Sequence, residues 1–179
     1  EQTWNLYEHV LDIDPYPSIA DFFYLAAPIT MFFSLVLFLK PFKKQISKKI
    51  IVFASIISIV VLIPTLIATY TFGIEGNFFE IFIALLYPIV DSILLVPAIV
   101  AISFTILNKR NLFWGGILIG ILVLIAADVI FLFAVIDDTY VDGHPVDILF
   151  ISSYTVWMFV MYYIINNSRF GNKKEVSIT

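Results

Sequence analysis

Cysteine is absent from the sequence, and its absence excludes disulfide bonds, thiolate metal sites and cysteine nucleophiles. Charge is scarce as well: only 13% of the 179 residues are Asp, Glu, Lys or Arg, whereas 61% are hydrophobic. A water-soluble domain carries about 25% charged residues, and no soluble fold of this size hides so much apolar surface. The short segments of alternating polarity that mark a transmembrane β-barrel are also lacking. The sequence therefore predicts an all-α integral membrane bundle.

Long apolar runs are what the chain does contain, and each is close to the roughly 20 residues that a helix needs to cross a bilayer. Five such runs cover residues 18–39, 50–72, 78–107, 112–136 and 146–165. We divide the chain into an extracytoplasmic or interfacial segment (1–17), a five-helix transmembrane domain (18–166) and a cytoplasmic tail (167–179). Because the chain begins at Glu1 rather than Met, we expect a signal peptide or further helices before it.

Basic and acidic residues alternate between the connections. All ten Lys and Arg residues lie after the first, third and fifth apolar runs: Lys40, Lys43, Lys44, Lys48, Lys49, Lys109, Arg110, Arg169, Lys173 and Lys174. The other two connections carry only acids: Glu75, Asp137, Asp138 and Asp142. Since basic loops remain in the cytoplasm, this pattern predicts an outside N-terminus and a cytoplasmic C-terminus in a multi-pass plasma-membrane protein.

Several carboxylates lie within the apolar runs or at their ends: Asp21, Glu80, Asp91, Asp128 and Asp147. The predicted topology puts all of them in the outer half of the membrane, where no Lys or Arg is available as a partner. An ionised carboxylate in hydrocarbon is costly, so each must be neutral, solvated, hydrogen-bonded or bound to a cation. Asp91 and Asp128 have apolar neighbours on both sides, and an acid in that position is a functional candidate. The alternative is a neutral acid that is hydrogen-bonded to a neighbouring Tyr or Ser.

The other acids have structural interpretations beside functional ones. Ser18 and Asp21 have the spacing of a helix capping box. Asp147 follows Pro145 in a first helical turn, where negative charge suits the helix dipole. Glu80 stands near the outer start of the third run, which favours an interfacial location.

Tyrosines lie one helical turn from two of these acids. Tyr87 precedes Asp91 by four residues and Tyr24 follows Asp21 by three, so each pair shares a helix face. We predict an outward-opening pocket that binds a ligand or a cation, formed by Asp21, Tyr24, Tyr87, Asp91, Asp128 and Tyr154. Asp147 is a further candidate, and the sequence identifies no cofactor.

His9 and His144 are the only histidines, and both are assigned to the outer side. Together with Asp142 or Asp147 they are candidate ligands of a divalent metal. Their spacing matches no metal-binding motif, so solvated loop histidines are the alternative.

Small residues mark one face of the fourth apolar run. Gly116 and Gly120 have GxxxG spacing beside Gly115, a pattern that lets two helices approach closely. We expect this face to pack against another helix of the same chain rather than against a second copy.

Polar landmarks recur along the chain in a particular order. Residues 16–21 read Tyr-Pro-Ser-Ile-Ala-Asp and precede Tyr24; Tyr87-Pro88 precedes Asp91; Ala127-Asp128 comes next; residues 143–147 read Gly-His-Pro-Val-Asp and precede Tyr154. This order resembles an uncharacterised multispanning membrane region found ahead of diguanylate cyclase or histidine kinase modules in bacteria and archaea. The resemblance covers residues 16–157 and implies a sensory input module. It also implies helices before Glu1. The sequence departs from this region by ending at Thr179 without an output domain, so we expect the effector to be a separate protein or a segment outside this sequence.

The leading hypothesis is a sensor-like or ligand-binding membrane module that signals to a separate membrane or cytoplasmic partner. A small accessory subunit of a larger membrane complex is an alternative, as is proton or cation translocation through Asp91 and Asp128. We do not expect an enzyme, because Asp128 lacks the glycine-flanked motif of intramembrane aspartyl proteases and no phosphate-binding loop is present. Apart from these partners we expect contact with the lipid bilayer and none with nucleic acid.

Overall fold

Five long helices make up almost all of the computed structural model, which describes residues 10–11, 16–72, 77–107, 112–141 and 143–175. They are α1 (Ile19–Leu39), α2 (Lys48–Phe72), α3 (Phe78–Leu107), α4 (Leu112–Ile136) and α5 (Pro145–Glu175), with a 3-10 turn at Lys40–Phe42 after α1. Each is long and apolar enough to cross a membrane. The all-α fold with five membrane-spanning helices is thereby confirmed, although α5 continues well beyond the predicted end of the fifth run.

Side-chain caps define where α1 and α3 begin. The Ser18 hydroxyl accepts a 3.1 Å hydrogen bond from the Ala20 amide, and Asp21 accepts one of 2.6 Å from the Ser18 amide, which is the predicted capping box. Asn77 and Glu80 are arranged in the same way: the Asn77 side chain accepts from the Phe79 amide at 2.9 Å, and Glu80 accepts from the Asn77 amide at 2.9 Å. Both acids therefore satisfy amides that a helix start leaves free.

Helix α3 is the centre of the bundle. It packs against α1, α2 and α4, whereas α1 packs on no long helix except α3, and α5 packs only on α4, within the described residues. Pro88 and Pro97 are both buried inside α3, which nevertheless remains one helix of 30 residues. At 1.5 Å per residue it is about 45 Å long, more than the hydrocarbon core requires.

The core lies where α3 meets its neighbours. Leu94, Ala98 and Ala101 of α3 and Leu118 of α4 are completely buried, and Leu35, Leu39 and Ala54 bring in α1 and α2. The outward faces are instead covered by exposed apolar side chains, among them Phe22, Phe33, Ile59, Ile67 and Phe159. Because such a surface is unfavourable in water and favourable in lipid, these faces contact the bilayer.

Glycines on α4 allow α5 to approach closely. A Cβ atom on Gly116 would lie 2.8 Å from Val160, and one on Gly120 would collide with the Trp157 indole. The Trp157 indole N–H donates a 3.2 Å hydrogen bond to the Ile117 carbonyl of α4. The prediction that this face packs within the chain is confirmed by these contacts.

Candidate functional site

A cluster of polar side chains, here called the Asp21 cluster, joins α1 to α3. Asp21 is 4% exposed, and its Oδ1 accepts a 2.6 Å hydrogen bond from the Tyr87 hydroxyl. Its Oδ2 accepts from the Ser18 amide at 2.6 Å and from the Ser18 hydroxyl at 3.3 Å. Tyr24 lies close enough to interact electrostatically with Tyr87. The carboxylate thus serves both as a helix cap and as the acceptor of a bond between helices.

Tyr16 extends this cluster toward the start of α3. Its hydroxyl donates a 2.8 Å hydrogen bond to the Glu80 carbonyl, which places the starts of α1 and α3 at the same end of the bundle. Burial, followed by the nearby charges of Asp21 and Glu80, raises the pKa of Tyr16 from 10.0 to about 12. The phenol therefore remains neutral, and a hydrogen-bond donor, at physiological pH.

Asp91 and Asp128 form a second group, here called the carboxyl pair, between α3 and α4. Residues 91, 94, 98 and 101 of α3 and residues 128, 125, 121 and 118 of α4 have the same spacing in opposite directions. The last three positions of each series all belong to the buried apolar cluster to which the two packed helices contribute. The matched register continues one turn further and brings the two carboxyls together, close enough to interact electrostatically.

No basic partner of the carboxyl pair is found in the part of the chain that the structure describes. Asp91 is 7% exposed and Asp128 is partly buried, and within the described part of the chain neither forms a salt bridge or a hydrogen bond to a side chain. The neighbouring Ser92 hydroxyl is also buried without a partner among the described residues. Two adjacent carboxylates in an apolar interior repel each other and lose hydration. A bound proton, a bound cation or local hydration would offset this cost.

The two groups differ in depth. Asp21 lies in the first turn of α1, whereas Asp91 lies about 20 Å along α3 from its start at 1.5 Å per residue. Tyr87 is one turn from Asp91 on the same helix and donates its hydroxyl to Asp21. The structure thus brings Asp21, Tyr24 and Tyr87 together, places Asp91 beside Asp128, and connects the two groups along α3.

Tyr154 and Asp147 belong to other surroundings. Tyr154 is 42% exposed on α5 and packs its ring against Trp157. Asp147 accepts hydrogen bonds from the Gly143 amide at 3.0 Å and from the Tyr140 hydroxyl at 3.3 Å. These bonds join Asp147, in the first turn of α5, to the connection that precedes the helix. Whether any of these candidate residues binds a ligand stays a prediction.

His144 is the candidate metal-binding histidine that the structure describes. Its Nδ1 accepts a 3.2 Å hydrogen bond from the Val146 amide, and its ring lies 5.8 Å from that of Tyr140. His9 and Asp142, two further residues of this interpretation, lie outside the described residues. Within those described, no three His, Asp or Glu side chains are grouped as a metal site.

Two features of the site escaped sequence reasoning. Tyr16 was part of the quoted motif but was not assigned to the pocket, although its place two residues before the cap of α1 is a usable signal. The separation into a cluster and a pair was also missed, because hydropathy does not fix how a helix is rotated about its axis.

Comparison of the chain with protein-family models, with curated proteins and with solved structures gives no match. The resemblance to sensory membrane regions therefore stays a prediction from the motifs of the sequence. The chain is a multi-span membrane protein, identified by its helices.

Proposed function

We propose that this protein is a sensor-like membrane module in which the carboxyl pair binds a proton or a cation and a separate partner protein reads the result. The observation that carries the proposal is the pairing of Asp91 and Asp128 across the α3–α4 interface without a basic partner among the described residues. Binding of a proton or a cation would change the forces at such a site, because it removes the repulsion between the two carboxylates.

The packing of α4 and α5 offers a route from the pair to the opposite end of the bundle. A change in repulsion alters the separation of α3 and α4 at the level of Asp128. Helix α5 is held to α4 by the close contacts of Gly116 with Val160 and of Gly120 with Trp157. A displacement of α4 is therefore carried to α5 as a packed unit.

Helix α5 supplies an output element. Its candidate span ends at Tyr163, but the helix continues to Glu175, about 18 Å further at 1.5 Å per residue. A helix that leaves the membrane without interruption presents its position directly to a partner on that side. The end of the bundle that it reaches also carries the lysines of residues 40–49 and is here called the basic end. The acidic end is the one with the Asp21 cluster.

Translocation through the bundle has less support than sensing. The α3–α4 interface on the basic side of the carboxyl pair includes Leu94, Ala98, Ala101, Leu118 and Ile121, all buried apolar side chains. The buried Thr105 hydroxyl lies only beyond them, one turn after Ala101. In the described part of the chain, the hydroxyls of Ser34 and Ser55 donate to carbonyls of their own helices. A proton or cation bound at the pair therefore meets an apolar barrier toward the basic end.

Infrared titration of the carboxyl bands in reconstituted vesicles tests the site. We expect bands that change with pH, or with added divalent cations, and that Asp91→Asn and Asp128→Asn each alter. Asp137→Asn is the matched control, since this acid is exposed at the end of α4 and away from the pair. Bands that remain silent across the whole pH and cation range would contradict the sensor and favour an accessory subunit with structural acids.

A second measurement tests transmission. The cysteine-free chain permits spin labels at Lys44→Cys and Met161→Cys, both exposed positions. We expect the distance distribution between these labels to shift under the conditions that change the carboxyl bands, and to stop shifting in Asp91→Asn. A distribution that is identical under all conditions would show that the pair is not coupled to α5.

A further inference from the structure

An apolar groove opens on the outside of the bundle between α1 and α2. These two helices both pack on α3 but not on each other within the described residues, so α3 forms the floor of the space between them. The groove has a volume of about 660 Å³. Its walls include Phe32 and Val36 of α1 and Ile59 of α2, and its floor includes Val96 and Pro97 of α3.

The two hydroxyl groups that line the groove already have hydrogen-bond partners. The Ser55 hydroxyl donates to the Ile51 carbonyl at 2.9 Å, and the Ser58 hydroxyl donates to the Ser92 carbonyl at 2.6 Å. What remains along the length of the groove is apolar surface, suited to a hydrocarbon chain and not to a polar ligand.

Charge is found only at one end of the groove. Lys40 and Lys43 belong to its lining, and both are exposed at the basic end of the bundle. Within the groove lining no acid is present to pair with them. The groove is therefore complementary to an anionic phospholipid: its cationic groups lie at the level of the headgroup, and its apolar surface lies at the level of the acyl chains.

The length of the groove favours a lipid over a transmembrane helix of a partner. From Ile51 to Ile59 on α2, and from Phe32 to Lys40 on α1, the walls extend about 12 Å at 1.5 Å per residue. A transmembrane helix of a partner needs the full hydrocarbon thickness of about 30 Å, whereas one leaflet has about half of it. The groove therefore matches a lipid of a single leaflet better than a helix.

We propose that this groove is a binding site for one anionic phospholipid, with an acyl chain between α1 and α2 and the headgroup phosphate at Lys40 and Lys43. The inference is independent of the carboxyl pair and of the proposed sensing function. By the distribution of basic residues in the sequence, the lipid comes from the cytoplasmic leaflet.

The test compares lipid binding by full-length protein in nanodiscs of phosphatidylcholine with and without phosphatidylglycerol, followed by native mass spectrometry of the lipid retained. The double variant Lys40→Gln/Lys43→Gln removes the headgroup contacts, and we expect the preference for phosphatidylglycerol to fall roughly tenfold. Lys48→Gln/Lys49→Gln is the matched control: it removes the same charge from the same end of the bundle, at the start of α2, but neither residue lines the groove. We expect this control to keep the preference.

A third variant tests the acyl-chain part of the proposal. Val96→Phe fills the floor of the groove without altering charge, and we expect it to release the retained lipid whatever its headgroup. Equal losses in the two lysine pairs would overturn the proposal in favour of a general attraction of the loop to anionic membranes. Retained lipid that shows no headgroup preference would also overturn it. So would a dimer that forms without retained lipid and is abolished by Val96→Phe, because that result would assign the groove to a second copy of the chain.

Discussion

The Tyr87 hydroxyl donates a 2.6 Å hydrogen bond to Oδ1 of Asp21 and so fastens α1 to the central helix. Helix α1 packs on no other long helix within the described residues, which gives this bond unusual weight in positioning it. The same carboxylate caps α1 through the Ser18 amide. One buried acid therefore caps the start of α1 and also contributes to the contact of α1 with α3.

Removing this bond provides the first prediction. Tyr87→Phe leaves Asp21 without its partner on α3, and we expect the free energy of unfolding in detergent micelles to fall by about 1 kcal/mol. Combining it with Asp21→Asn in a double-mutant cycle isolates the coupling between the two side chains. Tyr70→Phe, on a ring that is 75% exposed on α2, is the matched control. A loss in Tyr87→Phe no larger than in this control would contradict the assigned role.

The packing of α5 on α4 provides the second prediction. Gly120→Ala directs a methyl group into the Trp157 indole, and we expect a destabilisation of about 1–3 kcal/mol from the forced displacement. Gly115→Ala, five residues away, meets nothing within 4 Å and should be neutral or slightly stabilising, because Ala favours a helix by up to about 1 kcal/mol over Gly. The measurement is thermal unfolding of both variants in the same detergent. Equal changes in stability would show that the packing of α5 does not depend on this contact.

The raised pKa of Tyr16 provides the third prediction. Because burial raises this pKa to about 12, the folded state favours the protonated phenol. Its contribution to stability is fully present below pH 10.0, the ordinary pKa, and is lost as the pH rises through about 12. In a spectrophotometric titration of tyrosinate, Tyr16→Phe should delete a component near pH 12. A wild-type minus Tyr16→Phe difference centred near pH 10.0 would show that the phenol is not held in the cluster.

The orientation of the protein in the membrane provides the fourth prediction. In sealed cells, single cysteines in the cysteine-free background should react differently with a membrane-impermeant maleimide. Asp137→Cys lies in the acidic connection and should be labelled from outside, whereas Lys44→Cys in the basic connection should be labelled only after the membrane is opened. Both native side chains are exposed, so accessibility does not bias the comparison. The reverse pattern would invert the predicted topology.

Much of the fold followed from local features of the sequence. Helix bounds were predictable because each apolar run has the length of a bilayer crossing, and α3 and α4 were predicted with the bounds that the structure has. The cap at Ser18 was predictable because capping depends on residues within a single turn. The end of α5 was not, since a polar helix that leaves the membrane carries no hydropathy signal.

The site was predictable as a list of residues but not as an arrangement. An acid with apolar neighbours on both sides marked Asp91 and Asp128, because an unpaired charge in hydrocarbon is costly wherever it lies. That Tyr87 bonds to Asp21, while Asp91 meets Asp128, depends on how α3 is rotated against α1 and α4. No periodicity in one helix specifies that rotation.

The sequence by itself determined that the chain crosses the membrane in five helices and which of its connections are basic, because length, hydropathy and charge act residue by residue along the chain. The tertiary structure alone decided which side chains meet and that α1 and α2 leave a groove above α3. These relationships arise from the rotation, register and separation of packed helices, and they are fixed by contacts between residues that are far apart in the chain.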